Sequence, residues 1–347
     1  MVRVCVIGCG RWGPNYVRNF MELRDSEVVA CCDADAQARQ RMQRMWPEVP
    51  MLPDLASVLD TVDFDAGVVS TPAVTHRALV EQLLSAGKHV LVEKPLAGNL
   101  EDAEAVAQQA EASHGVVMVG HVFRYNSGVN KLRDLIYDGT VDEMRYIECV
   151  RTNLGPVRDD VSVIWDLAAH DVSIVLHLLN DMPARVSATG AAFLRSGRVD
   201  AASIACTFAD GRVAYLHVSW VDPRKRRIVR VVCRSCVLEF DDMNLQEPVR
   251  VVRARLAEEP SITTFGEFQL MPRTGDITIP AVALGEPLKA ECQAFLDAVA
   301  AGHRPLADVL DGVRVCALLD AAERSVAAGG AGVALEGAPR EATAAAS

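Results

Sequence analysis

The strongest constraint on this chain lies in its first two dozen residues. An apolar, β-type run from Val2 to Ile7 meets Gly8-x-Gly10-x-x-Gly13, and Pro14 then opens a segment in which Tyr16, Phe20 and Leu23 recur at helical spacing. Each glycine has its own reason to be there: Gly8 makes a tight turn, Gly10 lets a pyrophosphate approach the backbone, and Gly13 lets helix and strand pack closely. Pro14 suits a first helical turn. The helix N-terminus, with Arg11 and Trp12 in the loop before it, then faces the phosphates of a dinucleotide. A second apolar run, Glu27 to Cys32, ends in Asp33, at the distance from the glycines where a carboxylate accepts both ribose hydroxyls of adenosine. That carboxylate would repel a 2′-phosphate, so NAD is expected rather than NADP. The competing reading of Asp33 is a solvated turn residue, because Asp33-Ala34-Asp35 also suits a helix cap.

Beyond this point the pattern alternates. Helices are expected over 35–46, 54–60, 75–86 and 99–113, with strands near 50 and over 66–70, 88–92 and 115–119. Such alternation makes a doubly wound parallel sheet, a Rossmann-type α/β unit. Its ligands lie beyond the carboxyl ends of the strands. Five segments fall there: Gly8 to Gly13, Asp33, Ser70-Thr71-Pro72, Glu93-Lys94-Pro95 and Gly120-His121.

At 347 residues the chain is too long for one such unit, so a second domain is expected. A formal charge of −11 argues against nucleic acid as a partner. The middle third is nevertheless net positive, which leaves room for a small anionic substrate. The ten cysteines sit in hydrophobic runs without the regular spacing of a disulfide framework, and read as reduced, buried thiols. Cys233-x-x-Cys236 lacks the second pair of a four-ligand zinc site and lies in a strand-like run, so no metal is expected. No apolar run reaches the ~18 residues of a membrane span. Met1 to Ile7 leads directly into the glycine turn without a leader, and a cytoplasmic protein without membrane contact is expected.

Residues 66–97, AGVVSTPAVTHRALVEQLLSAGKHVLVEKPLA, resemble the glucose-fructose oxidoreductase, inositol dehydrogenase and rhizopine-catabolism (Gfo/Idh/MocA) family. The likeness combines Thr71-Pro72-x-x-x-His76, the GKHV strand and Glu93-Lys94-Pro95 with the glycine fingerprint upstream. It implies that Glu93 and Lys94 lie near the nicotinamide ribose, that Ser70, Thr71, Pro72 and His76 line the cofactor, and that Lys94 reaches the substrate hydroxyl. A cis Lys94–Pro95 bond is also implied. From the residues alone, a lysine ending a buried strand is unusual and reads as functional. For His76 the competing role is to cap the helix that starts near Thr75.

Residues 121–140 look like the family's bridge into its second domain, where Arg124, Tyr125 and Asn126 would face the substrate. Ordinary chemistry at a helix start is the alternative. A strand-like EMRYIECVRTN follows, with Asn153 as a further substrate contact, and then IWDLAAHDVSIVLHLLND. Its apolar residues recur with a period of 3.6, so it is an amphipathic helix. Asp166 and His170 are one turn apart on its other face. A histidine near its ordinary pKa of ~6.5 can take a proton, and a neighbouring carboxylate can orient its ring and stabilise the cation. The structural alternative is a surface pair at a helix start, where the dipole favours an aspartate. The Asp-x-x-x-His pattern resembles that of the family's sugar-oxidising members, which use it with the lysine. Trp165 either covers the nicotinamide or packs in the core, and His177 matches no motif.

From about 183 to 253, six alternating runs suggest an antiparallel sheet with one face under helices and the other free. Family members associate through such a face, so a homodimer or homotetramer is expected. Arg224-Lys225-Arg226-Arg227 reads as solvated charge, with a phosphate or interface role as its alternative. Helices over 286–301 and 308–327 close the chain.

The expected domains are an NAD-binding domain over 1–121, an α+β substrate and oligomerisation domain with a large, mainly antiparallel sheet over 122–335, and a flexible tail over 336–347. The expected activity is NAD-dependent oxidation of a secondary ring hydroxyl, C3 favoured, of a sugar, nucleotide-linked sugar or amino sugar. An aminoglycoside or cyclitol dehydrogenase, a redox glycosidase that retains its NAD, and a non-catalytic sensor are the alternatives.

Overall fold

The computed structural model describes residues 1–194, 197–258 and 270–335, so the tail expected over 336–347 lies outside the described residues. Two compact units emerge, one formed by residues 1–125 with 285–320 and the other by 126–284 with the chain from 321.

The first unit contains β1 (Val2–Ile7), α1 (Gly13–Glu22), β2 (Ser26–Cys32), α2 (Ala36–Met45), β3 (Met51–Leu52), α3 (Leu55–Thr61), β4 (Ala66–Val69), α4 (His76–Ser85), β5 (His89–Glu93), α5 (Leu100–Glu111) and β6 (Val117–Gly120). Local chemistry starts the helices. Asp35 accepts from the Gln37 amide, Asp54 from Ser57 and Asn99 from Asp102, each at 2.8 Å. The six strands run in the order β3-β2-β1-β4-β5-β6, and every neighbouring pair is parallel. Chain direction across the sheet reverses at β1, which has β2 on one side and β4 on the other. In sheets of this topology the ligand site is expected beyond the carboxyl ends of β1 and β4. The core is the continuous apolar strand set Val4, Val6, Val68 and Leu91, covered by Tyr16 and Phe20 of α1.

The second unit holds α6 (Ser127–Tyr137), β7 (Met144–Leu154), α7 (Ala169–Leu179), β8 (Arg185–Ala191), β9 (Ala201–Thr207), β10 (Val213–Ser219), β11 (Val221–Cys233), β12 (Cys236–Asp241), β13 (Val249–Glu258) and β14 (Leu270–Thr278). The chain closes with α8 (Pro287–Ala301), α9 (Val309–Ala327) and β15 (Val333–Ala334). This division differs from the expected boundary. Helix α8 and the first part of α9 fold with the first unit, because Leu288, Cys292, Phe295 and Leu296 bury into its core cluster.

Among the described residues the second sheet has nine strands, in the order β14-β13-β12-β11-β7-β10-β9-β8-β15. It is mixed: β7 and β10 are parallel and the other pairs antiparallel. Strand β14 escaped the sequence reading because its run carries a proline and a glycine, both depleted in strands.

Helices α6 and α7 pack on one face. A Cβ on Gly128 of α6 would stand 2.3 Å from the Phe240 ring, so glycine sets how near that helix comes. Strands β9 and β10 alternate buried and exposed residues accordingly. The other face shows Tyr146 and Tyr215, which meet edge-on at 6.0 Å.

All ten cysteines are free and buried. Cys233 closes β11 and Cys236 opens β12, and their sulfurs and the Asp142 carboxylate lie within 4.8 Å of one another. Burial pushes the Cys233 thiol up to about 12. In the basic run, Arg227 pairs with Asp242 at 3.0 Å and Arg226 with Asp222 at 3.5 Å. Among the described residues no helix is long and apolar enough to cross a membrane.

Candidate active site

The glycine loop after β1 has the three separate geometries its motif demands. Gly8 adopts φ +102°, open to glycine and strained for other residues. A Cβ on Gly13 would stand 2.1 Å from the Gly8 carbonyl oxygen, so α1 packs directly on the turn. A Cβ on Gly10 would meet nothing within 4 Å, which leaves its backbone approachable by a phosphate. Asp33, at the end of β2, accepts from the Cys9 amide at 2.6 Å through one oxygen and from the Asp35 amide at 2.8 Å through the other. It thus braces the loop, while the cap of α2 is Asp35. Arg39, the neighbouring cation, donates to the backbone oxygens of Asp33 and Ala34.

The loops after β4 and β5 are tied to this one. Ser70 Oγ donates to the Gly8 carbonyl at 2.8 Å. His76 was expected to touch the cofactor or cap a helix. It is instead 1% exposed, with Nδ1 3.0 Å from the Pro95 carbonyl and Nε2 2.9 Å from the Thr71 carbonyl, so it fastens the two loops together. The Lys94–Pro95 bond is cis. Glu93 is buried at the end of β5, and its Oε2 accepts from the Lys94 amide at 3.0 Å; Lys94 itself is half-buried.

His121 follows β6, one residue past the partner of Glu93 in the sheet register. It is buried, and among the described residues neither ring nitrogen has a hydrogen-bond partner. Burial, then the Arg124 and Lys94 cations, push its pKa well below the usual histidine value.

Arg124 and Tyr125 do not stand as expected. The Arg124 guanidinium is buried in an ion pair with Asp311 at 2.6 Å and donates to the Leu306 carbonyl at 2.9 Å. Tyr125 donates to Met118 Sδ at 3.6 Å. Asn126 caps α6 through the Gly128 amide at 2.8 Å. Asn126 follows the helix-start alternative, whereas Arg124 and Tyr125 turn to groups within the first unit.

In the second unit, Asp166 lies in a π-type turn, Ile164–Ala168, that runs into α7. Such turns are frequent at functional sites. Asp166 and His170 are both partly exposed, whereas Trp165 is buried and belongs to the core. The Asp166 carboxylate receives Trp220 Nε1 at 3.2 Å and Arg158 Nη1 at 3.4 Å. Neither partner was foreseen. Trp220 is fully buried at the β10–β11 corner, and no local pattern links it to residue 166. Farther along α7, Asp171 forms a buried ion pair with Arg151 at 2.8 Å, and His177 Nε2 lies 2.9 Å from Asn130 Oδ1. Asn153 is turned to its own strand end, donating to the Gly155 carbonyl at 2.5 Å.

Residues 2–121 match the model of an oxidoreductase family with an NAD-binding Rossmann fold, and residues 129–239 match the Gfo/Idh/MocA C-terminal domain. UDP-N-acetylglucosamine 3-dehydrogenase of Acidithiobacillus ferrooxidans is 30% identical over 325 residues, 91% of this chain and 94% of that protein. The chain belongs to the Gfo/Idh/MocA family. It is an oxidoreductase acting on CH–OH groups, with an NAD-binding first domain. Inositol 2-dehydrogenase 3 of Saccharopolyspora erythraea is 31% identical over 52% of this chain and 54% of its own. The solved structure of the Acidithiobacillus ferrooxidans enzyme superposes with a TM-score of 0.78 at 27% identity, covering 94% of this chain and 98% of that one. GenD2 from gentamicin A biosynthesis, solved in complex with NAD, shares the fold at a TM-score of 0.80 and 22% identity, covering 96% of each chain.

Proposed function

We propose that this protein is an NAD-dependent dehydrogenase that oxidises the C3 hydroxyl of a nucleotide-linked amino sugar to a ketone. The observation that carries this reading is the likeness, over nearly the whole of both chains, to a UDP-N-acetylglucosamine 3-dehydrogenase. Lys94, Asp166 and His170 supply the residue types that alcohol oxidation needs.

His170 takes the hydroxyl proton as the C–H bond breaks. Asp166, itself oriented by Trp220 and Arg158, sets the ring of His170 and stabilises its cation. Lys94 hydrogen-bonds the substrate oxygen and stabilises its developing negative charge. The Gly10 opening, the α1 N-terminus and the Asp33 carboxylate fit the pyrophosphate and adenosine ribose of a dinucleotide. When bound, NAD supplies the hydride acceptor. Preference for NAD over NADP rests on Asp33, and on Arg39 being tied to backbone oxygens rather than offered to a 2′-phosphate. The open face of the second sheet, with Tyr146 and Tyr215 exposed, is the surface through which we propose two copies associate.

The test is NADH absorbance across nucleotide-linked, free and aminoglycosidic sugars, with NADP as the parallel cofactor. NADH formation fastest with UDP-N-acetylglucosamine is expected. Sugar release with no net NADH, or turnover confined to another sugar class, would overturn the assignment.

A further inference from the structure

We propose that Glu291 is held as a neutral, protonated acid that positions Glu93, and with it the Lys94 segment, through the hydroxyl of Tyr16. Three elements of the first unit meet here. Tyr16 of α1 has its hydroxyl 2.9 Å from Glu93 Oε1, at the end of β5, and 3.2 Å from Glu291 Oε1 on α8. Tyr16 and Glu291 are completely buried and Glu93 is 7% exposed.

The proton count decides the arrangement. A phenol carries one proton and an ionised carboxylate carries none, so Tyr16 can donate to only one of the two. With both carboxyls ionised, the second would face the phenol oxygen's lone pairs in a fully buried position. The geometry closes when one carboxyl keeps its proton and donates to that oxygen. Glu93 is the ionised member, since both its oxygens face donors, Oε2 the Lys94 amide and Oε1 the Tyr16 hydroxyl, which leaves no place for a proton of its own.

Glu291 is the neutral one. Its Oε2 is buried and has no hydrogen-bond partner among the described residues, which a neutral acid's carbonyl oxygen tolerates far better than a carboxylate would. Burial first, and then the Glu93 charge, push it well above the usual carboxylate range. The chain therefore runs from the Glu291 O–H to the Tyr16 oxygen, and from the Tyr16 O–H to Glu93. Glu291 touches no reacting atom in this scheme; it is a positioning residue that ties the returning helix α8 to the end of β5.

A consequence for stability follows from linkage. The folded state holds this proton more tightly than the unfolded chain, so the contribution is intact below the ordinary carboxylate pKa of ~4.3. It is lost as pH rises from there toward the folded value. A glutamine cannot titrate, so Glu291→Gln should flatten that decline.

Infrared difference spectra of the cofactor-free protein at pH 7, wild type against Glu291→Gln, test the protonation directly. The carbonyl stretch of a protonated carboxylic acid, well separated from ionised carboxylates, is expected in the wild type and absent from the variant. Tyr16→Phe should shift that band without removing it. For activity, which rests on the dehydrogenase reading, Glu291→Leu should lower kcat about three- to tenfold, the worth of one hydrogen bond, and displace its pH profile. Glu291→Gln should restore most of that loss, because its amide N–H replaces the acid O–H. Thermal melts confirm that each variant is folded. A spectrum with no protonated-acid band assignable to Glu291 would overturn the inference, as would a Leu variant with wild-type kcat and pH profile. The band present without turnover of any sugar would uphold it and sink the dehydrogenase reading instead.

Discussion

In the first unit the chemistry-bearing residues are nearly consecutive and answer to their own backbone, whereas in the second they sit on one helix and answer to side chains from distant strands. Gly8 is set by φ, Gly10 by open space and Gly13 by the Gly8 carbonyl that a Cβ there would strike, all within six residues. Asp166 is set by Trp220 and Arg158, fifty-four positions downstream and eight upstream. A cofactor common to many enzymes can be met by a short, backbone-built motif. A particular substrate requires groups whose placement depends on how a whole sheet closes.

The comparison can be broken or sharpened by substitution. The largest effect is expected at the proposed chemical groups: Lys94→Ala and His170→Ala should each reduce kcat about 10²–10⁴-fold with NAD binding retained. Full turnover in either would remove that residue from the mechanism. Arg124→Met should instead cost about 3 kcal/mol of stability, because it leaves Asp311 buried without one of its partners. Urea unfolding measures this, and KM for the sugar should stay put; a raised KM would return Arg124 to the substrate.

Next come the glycines, which separate folding from binding. Gly13→Ala should destabilise by about 1–3 kcal/mol through the clash with Gly8. Gly10→Ala should leave the melting temperature unchanged and weaken NAD about tenfold, or ~1.4 kcal/mol, in calorimetric titration. Equal melting losses in the two would erase their distinction. Smallest is Trp220→Phe, which keeps the ring in the core and deletes the hydrogen bond to Asp166. A drop in kcat/KM of about three- to tenfold is expected, with the pH profile displaced. An unchanged profile would mean that Asp166 does not depend on Trp220.

Much of the first unit was legible because its signals are local. The strand and helix order and the glycine roles rest on patterns within a few positions. Side-chain partners supplied by tertiary folding are another matter. The resemblance placed Arg124 toward the substrate, and its ion pair with Asp311 forms only when α9 folds against the first unit. His76 looked like a cofactor contact, and its partners turn out to be two backbone carbonyls that the loops after β4 and β5 bring together. In the second sheet, period-2 alternation showed strands but not partners, so the parallel pairing of β7 with β10 was invisible.

The sequence by itself settled the fold class and the dinucleotide fingerprint, since both depend on periodicity and on spacings a few residues long, and its motifs carried the resemblance to the family. Tertiary structure alone decided that the C-terminal helices return to the first unit, that Trp220 and Arg158 hold Asp166, and that Glu291 shares one phenol with Glu93. Those are pairings between groups up to 275 residues apart. No local pattern encodes them, because their energy arises only when burial brings the partners together and removes the water that would otherwise have satisfied each one separately.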